Sequence, residues 1–343
     1  MTAKILEKRD LNGFVDSLRR DYEVYGPKRK RREYFFGEIE SPSELDLTST
    51  VPTILPPKKF LFPPSETILS FKDARPIVNE ERSDRKKLII GIRSCDVNGF
   101  LILDNVFMGL FPMPSYAERR ENMVLVALTC TEVGETCFCQ SMKTGPCPRL
   151  GYDLLMTDIG EAYLVEPGSK NGETLMVEVK GREASKDDLE KKKRAIETAE
   201  KKFRKKVDTE NLSKIFEKNL NHEIWKRLGE IDLACANCIN SCPTCFCFDI
   251  RDKLGMPMVD VARCREWDAC FLLEFSEVAL GGNFRKDRSA RVRQFMGHNL
   301  GWGGASQFEE LNGVTKCVGC GRCVRACPVH IDITEVAREL RGG

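Results

Sequence analysis

The sequence predicts an α/β N-terminal domain over residues 1–180, a helical linker over 181–230 and an α-helical, cysteine-rich C-terminal domain over 231–343. Three observations lead to this division. Short apolar runs bounded by polar residues predict buried strands in the first part, and apolar residues at helical spacing predict helices in the second. In the third part, cysteines recur every third residue in two separate segments.

The composition restricts the class of protein. With 343 residues, of which 41% are hydrophobic, the chain can bury the cores of two or three domains. The net charge of +2 gives no general reason to expect a nucleic acid or a membrane surface as a partner. No apolar run approaches the roughly 20 residues of a membrane-spanning helix, and the N-terminus lacks the apolar segment of a signal peptide. We therefore expect a cytoplasmic protein with no membrane span.

The first domain is predicted to open with one or two helices in residues 1–45 and to continue with an irregular, proline-rich segment over 52–64. Predicted strands cover residues 88–92, 123–128, 161–165 and 174–179. A helix is predicted after the first of these strands, where the sequence SCD begins. The first two strands both run directly into segments that contain cysteine.

The linker is predicted to be helical over residues 185–230. Ile196, Ala199, Phe203 and Val207 lie at spacings of three and four, which gives one apolar stripe on an otherwise very basic segment. This pattern favours a surface helix over a nucleic-acid-binding arm.

The C-terminal segment KCVGCGRCVRACP matches the bacterial iron–sulfur spacing C-x2-C-x2-C-x3-C-P at every position. Its cysteines are Cys317, Cys320, Cys323 and Cys327, and Pro328 follows. Soft thiolates at this spacing suit the irons of a [4Fe-4S] cluster. Structural zinc is the alternative, but zinc knuckles use two C-x2-C pairs and lack both the third cysteine and the closing C-P.

A second copy of the motif ends at Cys242 and Pro243, but its first position holds Asp232 instead of cysteine. In two-cluster ferredoxins, the fourth cysteine of each motif binds the other cluster. We therefore predict a dicluster ferredoxin-like domain with a large insertion between its two motifs. Its two predicted ligand sets are site 1, with Asp232, Cys235, Cys238 and Cys327, and site 2, with Cys317, Cys320, Cys323 and Cys242.

The incomplete motif leaves three hypotheses for the empty position. The Asp232 carboxylate is a harder ligand than a thiolate, but it carries the same charge and can bind iron. Alternatively, Cys245 or Cys247 folds back to that position, or the cluster has three irons and an empty corner.

Four further cysteines predict a third [4Fe-4S] cluster in the first domain. Cys95 and Cys130 directly follow the two predicted strands, and the nearby TCFC segment adds Cys137 and Cys139. Because the loops after parallel strands meet at one edge of a sheet, these thiols are expected to converge at a site 3. The alternatives are inert buried thiols and a nucleophilic Cys95, although no histidine lies nearby in sequence to activate it. Cys147 is left over.

A second TCFC segment suggests a fourth quartet. Cys245 and Cys247 belong to this segment, and ARCREWDAC supplies two more thiols, Cys264 and Cys270. Counting cysteines is weaker evidence than spacing, so this fourth cluster is the least supported of the four.

Several segments, taken together, are typical of one family: GIRSCDVNGFLILDNVF, TCFCQSMKTGP, CPTCFCFDI, REWDAC and CVGCGRCVRACPVHIDI. In these segments the chain resembles the beta subunit of cytoplasmic sulfhydrogenases, which are NAD(P)-linked nickel–iron hydrogenases. It is similarly close to the corresponding iron–sulfur subunit of anaerobic sulfite reductase. The resemblance extends over nearly the whole chain, and Asp232 is its departure from the complete cysteine motif.

The resemblance implies a non-catalytic electron-transfer subunit of a heteromeric oxidoreductase complex. The expected partners are a flavin subunit that binds NAD(P) and a catalytic subunit of the nickel–iron hydrogenase or sirohaem sulfite reductase type, with no nucleic acid. The alternative is a reductase that acts directly on a sulfur substrate at a cluster with a non-cysteine ligand.

Overall fold

The computed structural model describes residues 2–31, 33–48, 51–73, 75–77, 85–256, 260–302 and 315–342. The strands in these ranges are β1 (Lys4–Glu7), β2 (Tyr22–Lys30), β3 (Glu33–Glu38), β4 (Ser65–Lys72), β5 (Arg75–Ile77), β6 (Lys86–Arg93), β7 (Met123–Leu128), β8 (Leu154–Asp158), β9 (Ala162–Pro167), β10 (Phe248–Leu254), β11 (Val261–Trp267), β12 (Glu277–Val278) and β13 (Gly282–Asn283). The helices are α1 (Leu11–Asp21), α2 (Ser94–Phe107), α3 (Pro114–Glu121), α4 (Lys170–Leu175), α5 (Lys186–Lys201), α6 (Leu212–Lys218), α7 (Ile224–Ile231), α8 (Asn237–Asn240), α9 (Arg288–Leu300), α10 (Arg322–Ala326) and α11 (Ile333–Arg341). Across the described ranges, we find no helix with both the length and the apolar character needed to cross a membrane.

The first sheet has seven strands in the order β1-β9-β8-β7-β6-β2-β3. Its central strands β2, β6, β7 and β8 are parallel, and antiparallel strands complete both edges. β6 and β7 are apolar and largely buried, as expected for parallel strands that are covered on both faces. The predicted strands at 88–92 and 123–128 are confirmed, and they are neighbours in the sheet.

Two predictions for the first domain are wrong. Residues 1–45 contain β1, α1, β2 and β3 rather than helices alone, because β2 pairs with β6 and β3 and this pairing overrides the local pattern. Residues 174–179 do not form a strand, since α4 occupies 170–175. That helix begins where the Ser169 hydroxyl accepts a hydrogen bond of 3.0 Å from the Gly172 backbone N–H.

The second sheet joins distant parts of the chain. Its order is β10-β11-β4-β5, and every neighbouring pair is antiparallel. β4 and β5 belong to the predicted first domain, whereas β10 and β11 belong to the insertion after Cys242. The two predicted domains therefore share this sheet.

The linker is helical, as predicted, and consists of three separate helices, α5, α6 and α7. Its apolar stripe continues beyond the end of α5 at Lys201. Phe203 packs with Cys137 and Cys139 of the first domain. Val207 belongs to the hydrophobic core of the C-terminal domain. The C-terminal end of the stripe thus contacts both domains.

Candidate iron–sulfur sites

The two cysteine motifs of the C-terminal domain have the same backbone conformation. Gly319 and Gly321 have φ of +62° and +70°, and Ala234 and Ala236 have φ of +51° and +60° at the matching positions. Alternating left-handed residues turn successive backbone N–H groups inward and form a concave anion site. Alanine rarely adopts this conformation. The incomplete motif therefore keeps the loop geometry of the complete one, in the register that the sequence predicts.

Asp232 takes the place of the first cysteine in this geometry. The Ala234 backbone N–H donates a hydrogen bond of 3.0 Å to Asp232 Oδ2. At the equivalent position, the Gly319 N–H donates to Cys317 Sγ at 3.4 Å. The carboxylate and the thiol thus receive the same backbone donor, and the register alone brings Asp232 to this position without any rearrangement of the loop.

The four residues of site 1 line one cavity. Asp232 lies at the C-terminal end of α7, and burial raises the pKa of its carboxyl group. Burial is also the main reason why the pKa of Cys238 is raised, and Cys327 and Cys235 add to this effect. Positive charge, such as that of the irons of a cluster, would stabilise the ionised forms of these buried groups. The rest of the wall is mostly apolar and includes Phe271, Val292, Phe295, Met296, Ile331 and Ile333.

The thiols of site 2 lie between the two motifs. Burial raises the pKa of Cys317, Cys320 and Cys323, and Cys242 is an electrostatic neighbour of all three. The structure thus brings the fourth cysteine of one motif to the first three of the other. A single zinc ion would need thiolates about 2.3 Å from its centre, and no three His, Cys, Asp or Glu side chains in the described ranges are placed for one ion.

The four thiols of site 3 line a second cavity. Cys95 lies at the start of α2, directly after β6, and Cys130 follows β7, so the parallel strands deliver both to one sheet edge. The TCFC loop supplies Cys137 and Cys139. Burial raises the pKa of Cys137 to about 12, and the nearby Cys130 adds to the shift.

The TCFC loop of site 3 rests directly on the complete motif of the C-terminal domain. The Phe138 N–H donates to the Gly319 carbonyl at 2.8 Å, and the Thr144 hydroxyl donates to the Val318 carbonyl at 2.7 Å. A Cβ atom on Gly321 would lie only 2.2 Å from the Thr136 carbonyl oxygen. The glycines of the motif therefore serve this close contact as well as the turn itself.

Gly321→Ala should destabilise the protein more than Gly281→Ala, although the two glycines have nearly equal φ of +70° and +71°. Both changes carry the left-handed penalty of roughly 1–2 kcal/mol. Only Gly321 also faces a backbone atom, whereas no atom lies within 4 Å of a Cβ at Gly281, so the clash should add roughly 1–3 kcal/mol. Thermal unfolding of both anaerobically purified variants measures the difference. Equal unfolding temperatures would contradict the close contact.

A buried ion pair crosses the same contact between domains. The Arg322 guanidinium donates to both Asp96 oxygens, at 2.7 and 2.9 Å, and the two side chains are 0% and 1% exposed. Arg322 Nε also donates to the Thr53 carbonyl at 2.5 Å. Asp96 belongs to the SCD sequence, and Arg322 lies between two site 2 cysteines. Sequence reasoning missed this pair because neither motif indicates which distant residue its charge meets.

The predicted fourth quartet is not brought together. Cys264 lies inside β11 opposite Arg251 of β10, and its Sγ is 3.7 Å from the Thr67 hydroxyl of β4. Cys247 precedes the base of this hairpin, and Cys270 follows it. Because strands rise about 3.3 Å per residue, Cys264 is separated from that base by about 10 Å. The assignment of Cys264 to the fourth cluster is therefore wrong.

The other unassigned cysteines fall into two groups. Cys245, Cys247 and Cys270 pack in the core of the C-terminal domain, beside Cys242. Cys147 lies outside the two cavities, where its Sγ accepts a hydrogen bond of 3.7 Å from the Thr129 hydroxyl.

Comparison with known proteins agrees with the cysteine pattern. The family model of a 4Fe-4S dicluster domain matches residues 232–331, a range that begins at Asp232. Over 333 residues the chain is 34% identical to sulfhydrogenase 2 subunit beta of Pyrococcus furiosus, and the match covers 96% of each chain. No solved structure matches the chain. These findings confirm the resemblance inferred from the sequence and the dicluster domain, and the chain belongs to the family of sulfhydrogenase beta subunits.

Proposed function

We propose that this chain is the iron–sulfur electron-transfer subunit of a cytoplasmic oxidoreductase complex and that it holds three [4Fe-4S] clusters in a row, at sites 1, 2 and 3. The observation that carries the proposal is the position of site 2. Cys323 of site 2 also lines the cavity of site 1, and Cys320 of site 2 also lines the cavity of site 3. Site 2 is therefore the middle site of the three, and sites 1 and 3 are the outer sites.

The residues present fit such clusters. Each site offers soft thiolate donors, and site 1 adds one carboxylate. Backbone N–H groups point at the ligands in both motifs, and such donors stabilise negative charge on cluster and ligands. The Ile331 N–H likewise donates to Cys327 Sγ at 3.2 Å. A bound cluster supplies one-electron chemistry, while the chain holds the ligands, excludes water and sets the order of the sites.

The direct contact between the TCFC loop and the complete motif supports transfer between the two domains. The Cys137 thiol donates a weak hydrogen bond to the Cys320 carbonyl at 3.6 Å. A ligand of site 3 thus touches the backbone of a ligand of site 2, with no intervening layer of side chains. Such contact keeps the gap between neighbouring sites short, as an electron relay requires.

The proposed partners follow from the family. The similar Pyrococcus furiosus protein is named as the beta subunit of a sulfhydrogenase, so we place this chain in a multi-subunit hydrogenase-type complex. In this proposal, a flavin subunit that binds NAD(P) exchanges electrons with one outer site. A catalytic subunit, of the nickel–iron hydrogenase or sirohaem sulfite reductase type, exchanges electrons with the other.

Replacing all four cysteines of site 3 with serine should remove about four irons from the anaerobically purified chain. The irons of sites 1 and 2 should remain, because their ligands come from other loops. The measurement is iron per chain, together with the visible absorption of the clusters. A Cys147→Ser, Cys264→Ser double variant is the control, since neither thiol belongs to a proposed site, and it should lose no iron. Unchanged iron in the quadruple variant would remove site 3 from the relay.

A further inference from the structure

Two buried lysines, one from each domain, contact the C-terminal domain and have no carboxylate partner among the described residues. Lys58 is 2% exposed, its Nζ donates to the Cys245 carbonyl at 2.8 Å, and it lies 4.4 Å from the centre of the Trp267 ring. Lys316 is 1% exposed, and its Nζ lies 3.5 Å from His298 Nδ1 and 4.6 Å from the centre of the Phe246 ring. A carbonyl, an imidazole nitrogen and aromatic rings offset only part of the hydration free energy that a buried ammonium group loses.

The negative groups nearest to both lysines are thiols. Lys58 lies close enough to interact electrostatically with the thiols of Cys245, Cys242 and Cys247. Lys316 is a neighbour of the same three thiols, and also of Cys270. Buried charges are normally paired or placed beside metal centres. The positive charge of two buried lysines beside this thiol group would offset the negative charge of a metal cluster bound there.

Three of these thiols belong to none of the three sites already described. Cys245 and Cys270 are buried, and Cys247 is largely enclosed. Cys247 and Cys270 are close electrostatic neighbours, and the Cys245 backbone N–H donates to the Cys242 carbonyl at 3.4 Å. They share a core with apolar side chains such as Phe271. The thiols are thus adjacent, shielded from water and next to a ligand of site 2.

We propose that Cys245, Cys247 and Cys270 bind a fourth iron–sulfur cluster, whose negative charge is balanced by Lys58 and Lys316. Three thiolates leave one iron without a cysteine ligand, since Cys264 lies too far away in β11. The site adjoins Cys242, so the fourth cluster would lie next to site 2 and outside the row formed by sites 1, 2 and 3. This inference extends the proposed relay and does not depend on the presence of a cluster at site 3.

The test is the iron content of a Cys245→Ser, Cys247→Ser, Cys270→Ser variant of the full chain, purified anaerobically. It should lose up to about four irons, while the Cys147→Ser, Cys264→Ser control loses none. Unchanged iron would overturn the proposal. A reversible Cys247–Cys270 disulfide in the wild-type chain would then identify these two thiols as a redox pair instead. A wild-type chain without iron would instead refute the relay itself, and the two failures are therefore distinguishable.

A second variant keeps every thiol and tests the role of charge. Lys58→Met should leave the iron content unchanged and lower the reduction potential of the cluster that the triple variant lacks, because a nearby positive charge stabilises the reduced state. Lys59→Met is the control, since Lys59 Nζ donates to the Phe36 carbonyl instead. Redox titration followed by electron paramagnetic resonance gives the potentials. An equal potential in the Lys58→Met and Lys59→Met variants would show that Lys58 does not balance the cluster.

Discussion

Asp96→Asn is expected to destabilise the protein by about 3–5 kcal/mol, because it leaves the buried Arg322 guanidinium without a counter-ion. The pair is fully buried at the contact between site 3 and site 2, so solvent screening does not weaken it. The expected result is a marked fall in the thermal unfolding temperature of the anaerobic protein. Loss of contact between the domains should also expose the TCFC loop to limited proteolysis.

An exposed ion pair of the same region provides the control for Asp96→Asn. Glu135 accepts a hydrogen bond from Arg204, with side-chain exposures of 79% and 72%. Glu135→Gln should change stability by less than about 1 kcal/mol. Replacing both buried partners, as Asp96→Leu with Arg322→Met, should recover part of the loss because no unpaired charge remains. An Asp96→Asn protein that unfolds at the wild-type temperature would contradict the structural role of the pair.

Asp232→Cys should keep or raise the iron content, shift the reduction potential of one cluster and reduce the loss of iron on oxidation. A thiolate holds iron more strongly than a carboxylate does, and the backbone N–H of Ala234 is already placed to meet it. Asp232→Ala should do the opposite and lose one iron from site 1 readily. The measurements are iron content before and after brief air exposure, and redox titration of the cluster signals.

The variant Asp232→Asn distinguishes a role of Asp232 as an iron ligand from a role in packing alone. The amide has nearly the same shape as the carboxylate and can accept the Ala234 hydrogen bond, but it lacks the negative charge that favours iron. Its iron content after oxidation should therefore resemble that of Asp232→Ala. If the cluster signals were the same in all three variants, Asp232 would be a bystander, and another group would hold that iron.

The sequence was most informative where chemistry depends on local spacing. The register that places Asp232 opposite Cys317 is a property of one short loop, and the matching φ values of Ala234 and Gly319 repeat it in the backbone. The convergence of Cys95 and Cys130 also followed from local signals. Both residues follow an apolar run within three positions, and the carboxyl ends of neighbouring parallel strands meet at one edge.

The sequence was least informative where distant segments meet. Closeness in sequence suggests that Cys264 joins Cys270, but strand pairing with β4 and β10 holds Cys264 inside a sheet. The ion pair of Asp96 with Arg322 joins positions that no local pattern relates. The burial of Lys58 was equally hidden, since a lysine beside prolines is ordinarily a surface residue. All three features depend on tertiary packing between segments that are distant in sequence.

The order of the sites can be tested most directly by electron paramagnetic resonance of the fully reduced chain, with and without site 2. Replacing Cys317, Cys320 and Cys323 with serine should remove the irons of site 2, and iron analysis should show that the outer sites keep theirs. If site 2 is the middle site, the outer clusters should lose the line broadening and fast relaxation that a neighbouring spin causes. Unchanged line shapes and relaxation at sites 1 and 3, after loss of the site 2 irons, would contradict the arrangement of three clusters in a row.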